Sequence, residues 1–89
     1  MITLPNDFDN WLDYGNHLSN CNDFNSAAKA FERHLEDYPN DYETLYSVGW
    51  ALFMAQRYSD ALPYLEDAVL LNPYGDAIEY LDACKDAMG

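Results

Sequence analysis

Apolar and small side chains recur along this chain at the spacing of helices that bury one face. Two stretches, at about 7–20 and 41–55, show this pattern most clearly, and each is followed by a polar turn. Their inward positions are Trp11, Tyr14, Gly15 and Leu18 in the first stretch, and Leu45, Val48, Gly49 and Leu52 in the second. Second helices are predicted to begin near Asn25 and Ser59, since both residues are good N-caps, and to end before Pro39 and Pro73. The pattern therefore predicts two helical hairpins.

The two hairpins repeat at an interval of 34 residues. Gly15 and Gly49 are separated by this interval, as are Ala27 and Ala61 and also Pro39 and Pro73. Large apolar residues recur with them: Trp11 with Leu45, Tyr14 with Val48, Leu18 with Leu52, Phe24 with Tyr58, Phe31 with Leu65, and Leu35 with Val69. We expect the glycines and alanines to let the two helices of a hairpin approach closely, with small residue facing small residue.

The first unit reads W-x2-Y-G-x2-L followed by Ala27, Phe31 and Pro39, and this pattern resembles the tetratricopeptide repeat. The second unit, L-x2-V-G-x2-L with Ala61, Leu65 and Pro73, resembles that repeat in the same way. The resemblance covers roughly 8–75 and implies an all-α fold, with five helices in an α-hairpin repeat solenoid stacked right-handed. It divides the chain into an N-terminal extension at 1–6, two repeats within 7–75 at about 8–41 and 42–75, and a C-terminal capping helix at 76–89.

The capping helix has to leave the strict 34-residue register. Continuing that register would turn Glu79, Asp82 and Asp86 toward the core, where the loss of hydration is costly. A shift of one residue, allowed by a flexible Gly75, is predicted instead. It would bring Tyr80, Ala83, Cys84 and Ala87 inward. The apolar residues of this helix cover an arc of about 160° at 100° per residue, which is wider than a terminal cap requires, so part of the arc is expected to meet another surface.

A second apolar stripe, Tyr46, Trp50 and Phe53, lies on the helix of the second unit that begins near residue 42. In the tetratricopeptide family the corresponding face lines a concave groove that binds extended peptides, so the resemblance makes these three residues the leading ligand contacts. The ligand-binding residues expected across the groove are Leu12, Asn16, Tyr46, Trp50, Phe53, Leu81 and Lys85, with the acidic residues Asp9, Asp13 and Glu43 at its rim. Packing inside the solenoid, binding of a peptide or partner helix, and self-association all remain open for this stripe.

The charge of the chain limits its partners. Asp and Glu number 16 against four Lys and Arg, giving a net charge of −12, and the four cations are spread along the sequence. Such a chain repels phosphates, so neither nucleic acid nor a membrane surface is expected as a partner. A hydrophobic content of 49% predicts a folded protein rather than a disordered acidic tail. Its two distant cysteines, Cys21 and Cys84, are expected to be reduced thiols in a cytoplasmic protein.

No catalytic constellation is visible in the sequence. Asp13 and His17 lie one helical turn apart, but a third metal ligand does not follow at matching spacing. Cys84 lies on a predicted core face, and a glycine-rich phosphate loop is absent from the sequence. We therefore expect a protein that is not an enzyme and needs no metal or cofactor.

The expected function is non-catalytic binding of a protein or peptide with apolar and basic character. Small, acidic, helical proteins of this repeat class resemble the chaperones of bacterial type III secretion systems, so a chaperone or adaptor role is one version. Capture of a chaperone's C-terminal carboxylate is disfavoured, because Asn16 matches that subclass whereas Leu12 stands where its clamp has lysine. The alternative is a structural role, in which the chain forms a homo-oligomer through its third helix and binds no foreign peptide.

Overall fold

The computed structural model describes residues 3–89, and within that range it contains five α-helices and no β-strand. The helices are α1 (Trp11–Asn20), α2 (Phe24–Asp37), α3 (Tyr42–Met54), α4 (Tyr58–Leu71) and α5 (Ala77–Met88). Each helix packs against the next in the chain, and α3 also contacts α5. The molecule measures 40 × 23 × 20 Å. The prediction of an all-α, hairpin-repeat arrangement is confirmed, while the handedness of the stack stays a prediction.

The backbone of the two hairpins repeats at the interval seen in the sequence. Asn22 and Gln56 both have a φ of 63°, the left-handed conformation that closes a helix end. The hydrogen bonds across these turns correspond one to one: Asp23 N–H donates to Leu18 O at 2.9 Å, and Arg57 N–H donates to Leu52 O at 2.8 Å. The ends of α2 and α4 match in the same way, with Tyr38 N–H donating to His34 O and Asn72 N–H donating to Ala68 O. The 34-residue interval is therefore a repeat of backbone geometry as well as of residue type.

The helix starts differ from those predicted. Helix α1 begins at Trp11 rather than near residue 7, because the Asn10 side chain accepts a hydrogen bond from Asp13 N–H at 2.8 Å. Helix α2 begins at Phe24, one residue before Asn25, since Asp23 is the residue that follows the left-handed turn and caps the helix. The prediction of Asn25 and Ser59 as N-caps is thus wrong.

The N-cap position of α4 is Arg57, which makes no side-chain cap. Its guanidinium group instead donates to Asp60 in the first turn of the same helix at 3.0 Å. It also donates to the Asn25 side chain at 3.2 Å, across 32 residues of sequence. Asn25 therefore links the starts of α2 and α4 rather than capping one of them.

Each hairpin glycine faces a large side chain. A Cβ atom on Gly15 would lie 2.6 Å from Cδ1 of Phe31, and one on Gly49 would lie 2.6 Å from Cγ of Leu65. Phe31 and Leu65 are fully buried, so these rings and methyl groups occupy the space that a Cβ would take. The expectation that small residue faces small residue is therefore wrong, because the missing Cβ makes room for the large residue of the neighbouring helix.

Helix α5 buries a different stripe from the one predicted. Ala77, Leu81 and Cys84 are buried, which follows i, i+4, i+7 spacing. Cys84 is confirmed in the core, Tyr80 and Ala83 are half-buried, and Ala87 is exposed, contrary to the prediction. The three acidic residues Glu79, Asp82 and Asp86 are exposed, as the desolvation argument requires.

Gly75 has a structural role different from flexibility. It does not adopt a positive φ, and a Cβ on it would collide with the hydroxyl group of Tyr42. That hydroxyl accepts a hydrogen bond from Ala77 N–H at 3.2 Å. Since Asp76 makes no side-chain cap, Tyr42 in α3 supplies the cap for the start of α5.

Candidate functional site

Tyr46, Trp50 and Phe53, here called the aromatic stripe, are all half-buried on α3. The ring of Trp50 meets Phe24 of α2 edge-on, with centroids 5.6 Å apart. The rings of Tyr46 and Phe53 both contact Tyr80 of α5, at 5.8 and 5.4 Å. Packing inside the molecule therefore explains part of each ring, and the remainder of each ring stays accessible to a partner.

Further rings fix the two ends of the stripe. Tyr42 stacks on Tyr46 at 6.0 Å with an interplanar angle of 21°, and Tyr58 of α4 meets Phe53 at 5.5 Å. Aromatic pairs of this geometry add about 0.5–1.5 kcal/mol each beyond the area they bury. The stripe is thus held from α2, α4 and α5, and little side-chain freedom remains to be lost when a ligand binds.

Tyr46 is the titratable group at one end of the stripe. Burial raises the pKa of Tyr46 to about 12, and the neighbouring Tyr80 phenol and Asp76 carboxylate act in the same direction. The hydroxyl group is therefore neutral at physiological pH. In that state it can both donate and accept a hydrogen bond to a backbone group of a bound segment.

We expect the protein to lose stability as the pH rises from about 10 to about 12. In that window the unfolded chain releases the Tyr46 proton at its ordinary pKa of 10.0, whereas the folded protein retains it up to about 12. Because the folded state then binds more protons, the free energy of unfolding falls with pH. Urea unfolding at a series of alkaline pH values measures this slope. The slope should be shallower in Tyr46→Phe, and an identical slope in Tyr46→Phe and wild type would contradict the expectation.

The other predicted ligand contacts are dispersed. Leu12 is half-buried, Asn16 is exposed on α1, and Lys85 is exposed on the last turn of α5. Leu81 is only 6% exposed and packs in the core, so the structure corrects its expected place on an open groove surface. In the part of the chain that the structure describes, α1 packs extensively against α2 alone. The structure therefore brings the three α3 residues together with α5, whereas Leu12 and Asn16 lie on α1, which packs mainly on α2.

Tyr80 is the site residue whose role the sequence did not reveal. It was predicted to point inward, yet its ring contacts both ends of the aromatic stripe. The predicted one-residue shift of α5 placed Tyr80 on the inner face of that helix. The rotation of α5 about its axis determines that Tyr80 reaches α3, and the sequence pattern does not give that rotation. The acidic residues Asp9, Asp13 and Glu43, expected at the rim, are all exposed.

The two residues considered as metal ligands, Asp13 and His17, lie on α1. His17 Nε2 lies 3.8 Å from the Sγ atom of exposed Cys21, and the Phe8 ring lies 5.2 Å from the His17 ring. Across residues 3–89, no group of three His, Cys, Asp or Glu side chains is arranged to hold a metal ion.

Cys84 is fully buried in the core. Burial raises the pKa of its thiol, so the thiol stays protonated as well as enclosed.

A polar cleft of about 360 Å³ lies between α2 and α4. It contains Glu32, Arg57, Asp60 and Tyr64. Burial raises the pKa of Glu32, while the Arg57 guanidinium group opposes that effect. Burial also raises the pKa of Tyr64, and the Glu32 carboxylate adds to the shift. Arg57 is already paired with Asp60, at 3.0 Å, so the charges of this cleft largely satisfy one another.

No protein-family model matches the sequence, and comparison with curated proteins gives no match. Among the helices of residues 3–89, none is long and apolar enough to cross a membrane. The function has to be inferred from the surfaces of the molecule itself.

Proposed function

We propose that this protein is a non-catalytic binding module that holds a segment of another protein on the aromatic stripe of α3. The observation that carries the proposal is the state of Tyr46, Trp50 and Phe53: each ring is partly exposed and is also fixed by rings from neighbouring helices. Rigid, partly exposed aromatic side chains are typical anchors of protein interfaces. The resemblance to tetratricopeptide repeats supports the same face.

The partner segment should carry apolar side chains together with lysine or arginine. The net charge of −12 attracts cationic segments and accelerates their association, and this effect weakens as salt is added. A holding chaperone and an adaptor would both use such a surface. Both cysteines are free thiols, which agrees with a protein that works in the cytoplasm.

Self-assembly through α5 is the alternative and has less support. Half of the apolar arc that the sequence offered for this purpose is occupied, because Ala77, Leu81 and Cys84 are buried within the molecule, whereas Met88 remains 50% exposed. The exposed residues of α5 include Glu79, Asp82 and Asp86, which repel their counterparts on a second copy. Light scattering coupled to size exclusion tests this alternative, and a strictly monomeric protein at all micromolar concentrations would remove it.

Tryptophan emission tests the proposed site directly. Trp11→Phe leaves Trp50 as the reporter, and Trp50→Phe leaves Trp11. Short synthetic peptides in which leucine or phenylalanine alternates with lysine serve as the probe. We expect the emission of the Trp11→Phe protein to change during the titration, and that of the Trp50→Phe protein to change little.

Truncation of the anchor gives the energetic test. Trp50→Ala should weaken peptide binding at least about tenfold, as expected for a central aromatic anchor. Trp11→Ala is the matched control, because Trp11 lies on α1 and contacts Tyr14 and the Arg33 guanidinium group instead. Circular dichroism confirms that both variants are folded. Unchanged affinity in folded Trp50→Ala would remove the aromatic stripe as the binding site.

A further inference from the structure

Two exposed leucines close α4 and are not explained by the repeat. Leu70 is 81% exposed and Leu71 is 48% exposed. The residues 34 positions earlier, Glu36 and Asp37, have side chains that are 68% and 62% exposed and pair with Arg33 at 2.9 and 3.9 Å. A complete hairpin follows Glu36 and Asp37, and yet they remain in solvent. Stacking of a further unit is therefore not the reason for leucine at these positions.

The leucines border a cleft formed with the turn between α2 and α3. This cleft, here called the loop-edge cleft, has a volume of about 260 Å³. It is lined by Pro39, Asn40, Leu45, Asp67, Leu70 and Leu71. Leu45 is 5% exposed and belongs to the core, so the cleft has an apolar base. Sites for small molecules occupy about 300–1,000 Å³, and a smaller cleft is suited to one side chain of a protein partner.

The charge around the cleft selects the kind of partner. Asp67 supplies a carboxylate, and no cationic side chain lines the cleft in the described part of the chain. Helix α4 ends here with no basic residue in its last turn, so the partial negative charge of its C-terminus is not compensated from within the helix. Helix α2 ends at Asp37, two residues before Pro39, which lines the cleft. A lysine or arginine beside an apolar anchor would compensate these charges.

We propose that the loop-edge cleft is a second docking site, which takes a leucine-like side chain from a basic segment of a partner protein. None of the aromatic stripe residues lines it, so it does not depend on the function proposed for that stripe. A second copy of this chain is a poorer occupant, because two molecules of charge −12 repel each other.

The test is a titration of the ¹⁵N-labelled protein with a synthetic peptide of alternating leucine and lysine. Amide signals of residues 40, 67, 70 and 71 should shift on binding. Leu70→Glu should weaken this binding at least about tenfold, since burying a leucine side chain contributes that much. The substitution places at 70 the residue type that the first unit carries at 36, where it is exposed in a folded helix. The added negative charge would by itself strengthen attraction to the peptide, so a loss of affinity isolates the apolar contact.

Three controls separate the outcomes. Leu70→Met should retain the affinity, and a peptide of alternating alanine and lysine should bind Leu70→Glu at least as tightly as wild type. Trp50→Ala should leave the shifts at residues 40, 67, 70 and 71 in place, which distinguishes this site from the aromatic stripe. Equal affinity of Leu70→Glu and wild type for the leucine–lysine peptide, measured from the shifts at residues 40, 67 and 71, would overturn the proposal. Concentration-dependent dimerisation of wild type that Leu70→Glu abolishes would also overturn it, because the occupant would then be a second copy.

Discussion

Replacing Phe31 by alanine is expected to lower the free energy of unfolding by about 3–5 kcal/mol. Phe31 is the large side chain that fills the first hairpin, and it is 1% exposed. Domains of this kind have a total stability of about 5–15 kcal/mol, with small ones toward the lower end. A protein at the lower end of this range would keep only about 0–2 kcal/mol after the substitution, so the variant should be partly unfolded even without urea. Urea unfolding followed by circular dichroism measures the change.

Gly15 provides the control for this prediction. In wild type, Gly15→Ala places a Cβ 2.6 Å from Cδ1 of Phe31 and should destabilise by about 1–3 kcal/mol, reduced by the gain of about 1 kcal/mol in helix propensity. In the Phe31→Ala background the same methyl group enters vacant space, so Gly15→Ala should stabilise. Measurements in trimethylamine N-oxide keep the weakened variants folded. The same sign of effect in both backgrounds would show that the two residues do not compete for this space.

Replacing Gly75 by alanine is expected to destabilise the protein by about 1–3 kcal/mol, chiefly at α5. The new Cβ would lie 2.7 Å from Cζ of Tyr42 and force that ring to move. The Tyr42 hydroxyl would then lose the hydrogen bond that it accepts from Ala77 N–H at 3.2 Å in wild type. Hydrogen exchange measures the effect helix by helix, and α5 amides should exchange faster than those of α2.

Tyr42→Phe is the matched background for Gly75→Ala. It removes the hydroxyl oxygen, which is the atom nearest the new Cβ, together with the hydrogen bond to Ala77, while Cζ stays in place. Gly75→Ala should therefore cost less in this background than in wild type. Tyr42 also stacks on Tyr46, so displacement of its ring should disturb the aromatic stripe as well. Equal effects of Gly75→Ala in the two backgrounds would place the cause elsewhere in the turn.

The sequence pattern was sufficient for the helices and for the buried face of α3, but not for the buried face of α5 or for the partners of each face. Gly15 and Gly49 were recognised by their spacing, yet the pattern could not show that each accommodates Phe31 or Leu65 rather than an alanine. The cap of α5 comes from Tyr42, 35 residues earlier, and local capping rules consider only neighbouring residues. The N-cap of α2 was misplaced because the left-handed conformation of Asn22 decides which residue becomes the cap.

The residues of the candidate site on α3 were likewise predictable from the sequence, whereas the place of Leu81 on α5 was not. Tyr46, Trp50 and Phe53 were placed together on α3 by helical phase alone, and the structure keeps them side by side. Leu81 was assigned to the groove because a phase error of one position on α5 changes which side chain is enclosed. The exposed state of Leu70 could not be foreseen, since an apolar residue at the end of an amphipathic helix ordinarily predicts burial.

The reaction rates of the two cysteines with a thiol reagent report how often part of the folded protein opens locally. Cys21 is exposed, so a thiol reagent added to the folded protein should modify it without any structural change. Cys84 is 0% exposed on α5, so its alkylation requires that helix to separate from the others. The ratio of the two rates therefore reports how often α5 detaches, within one molecule and without a label. A bound segment that clasps α5 through Tyr80 would slow the second reaction and leave the first unchanged.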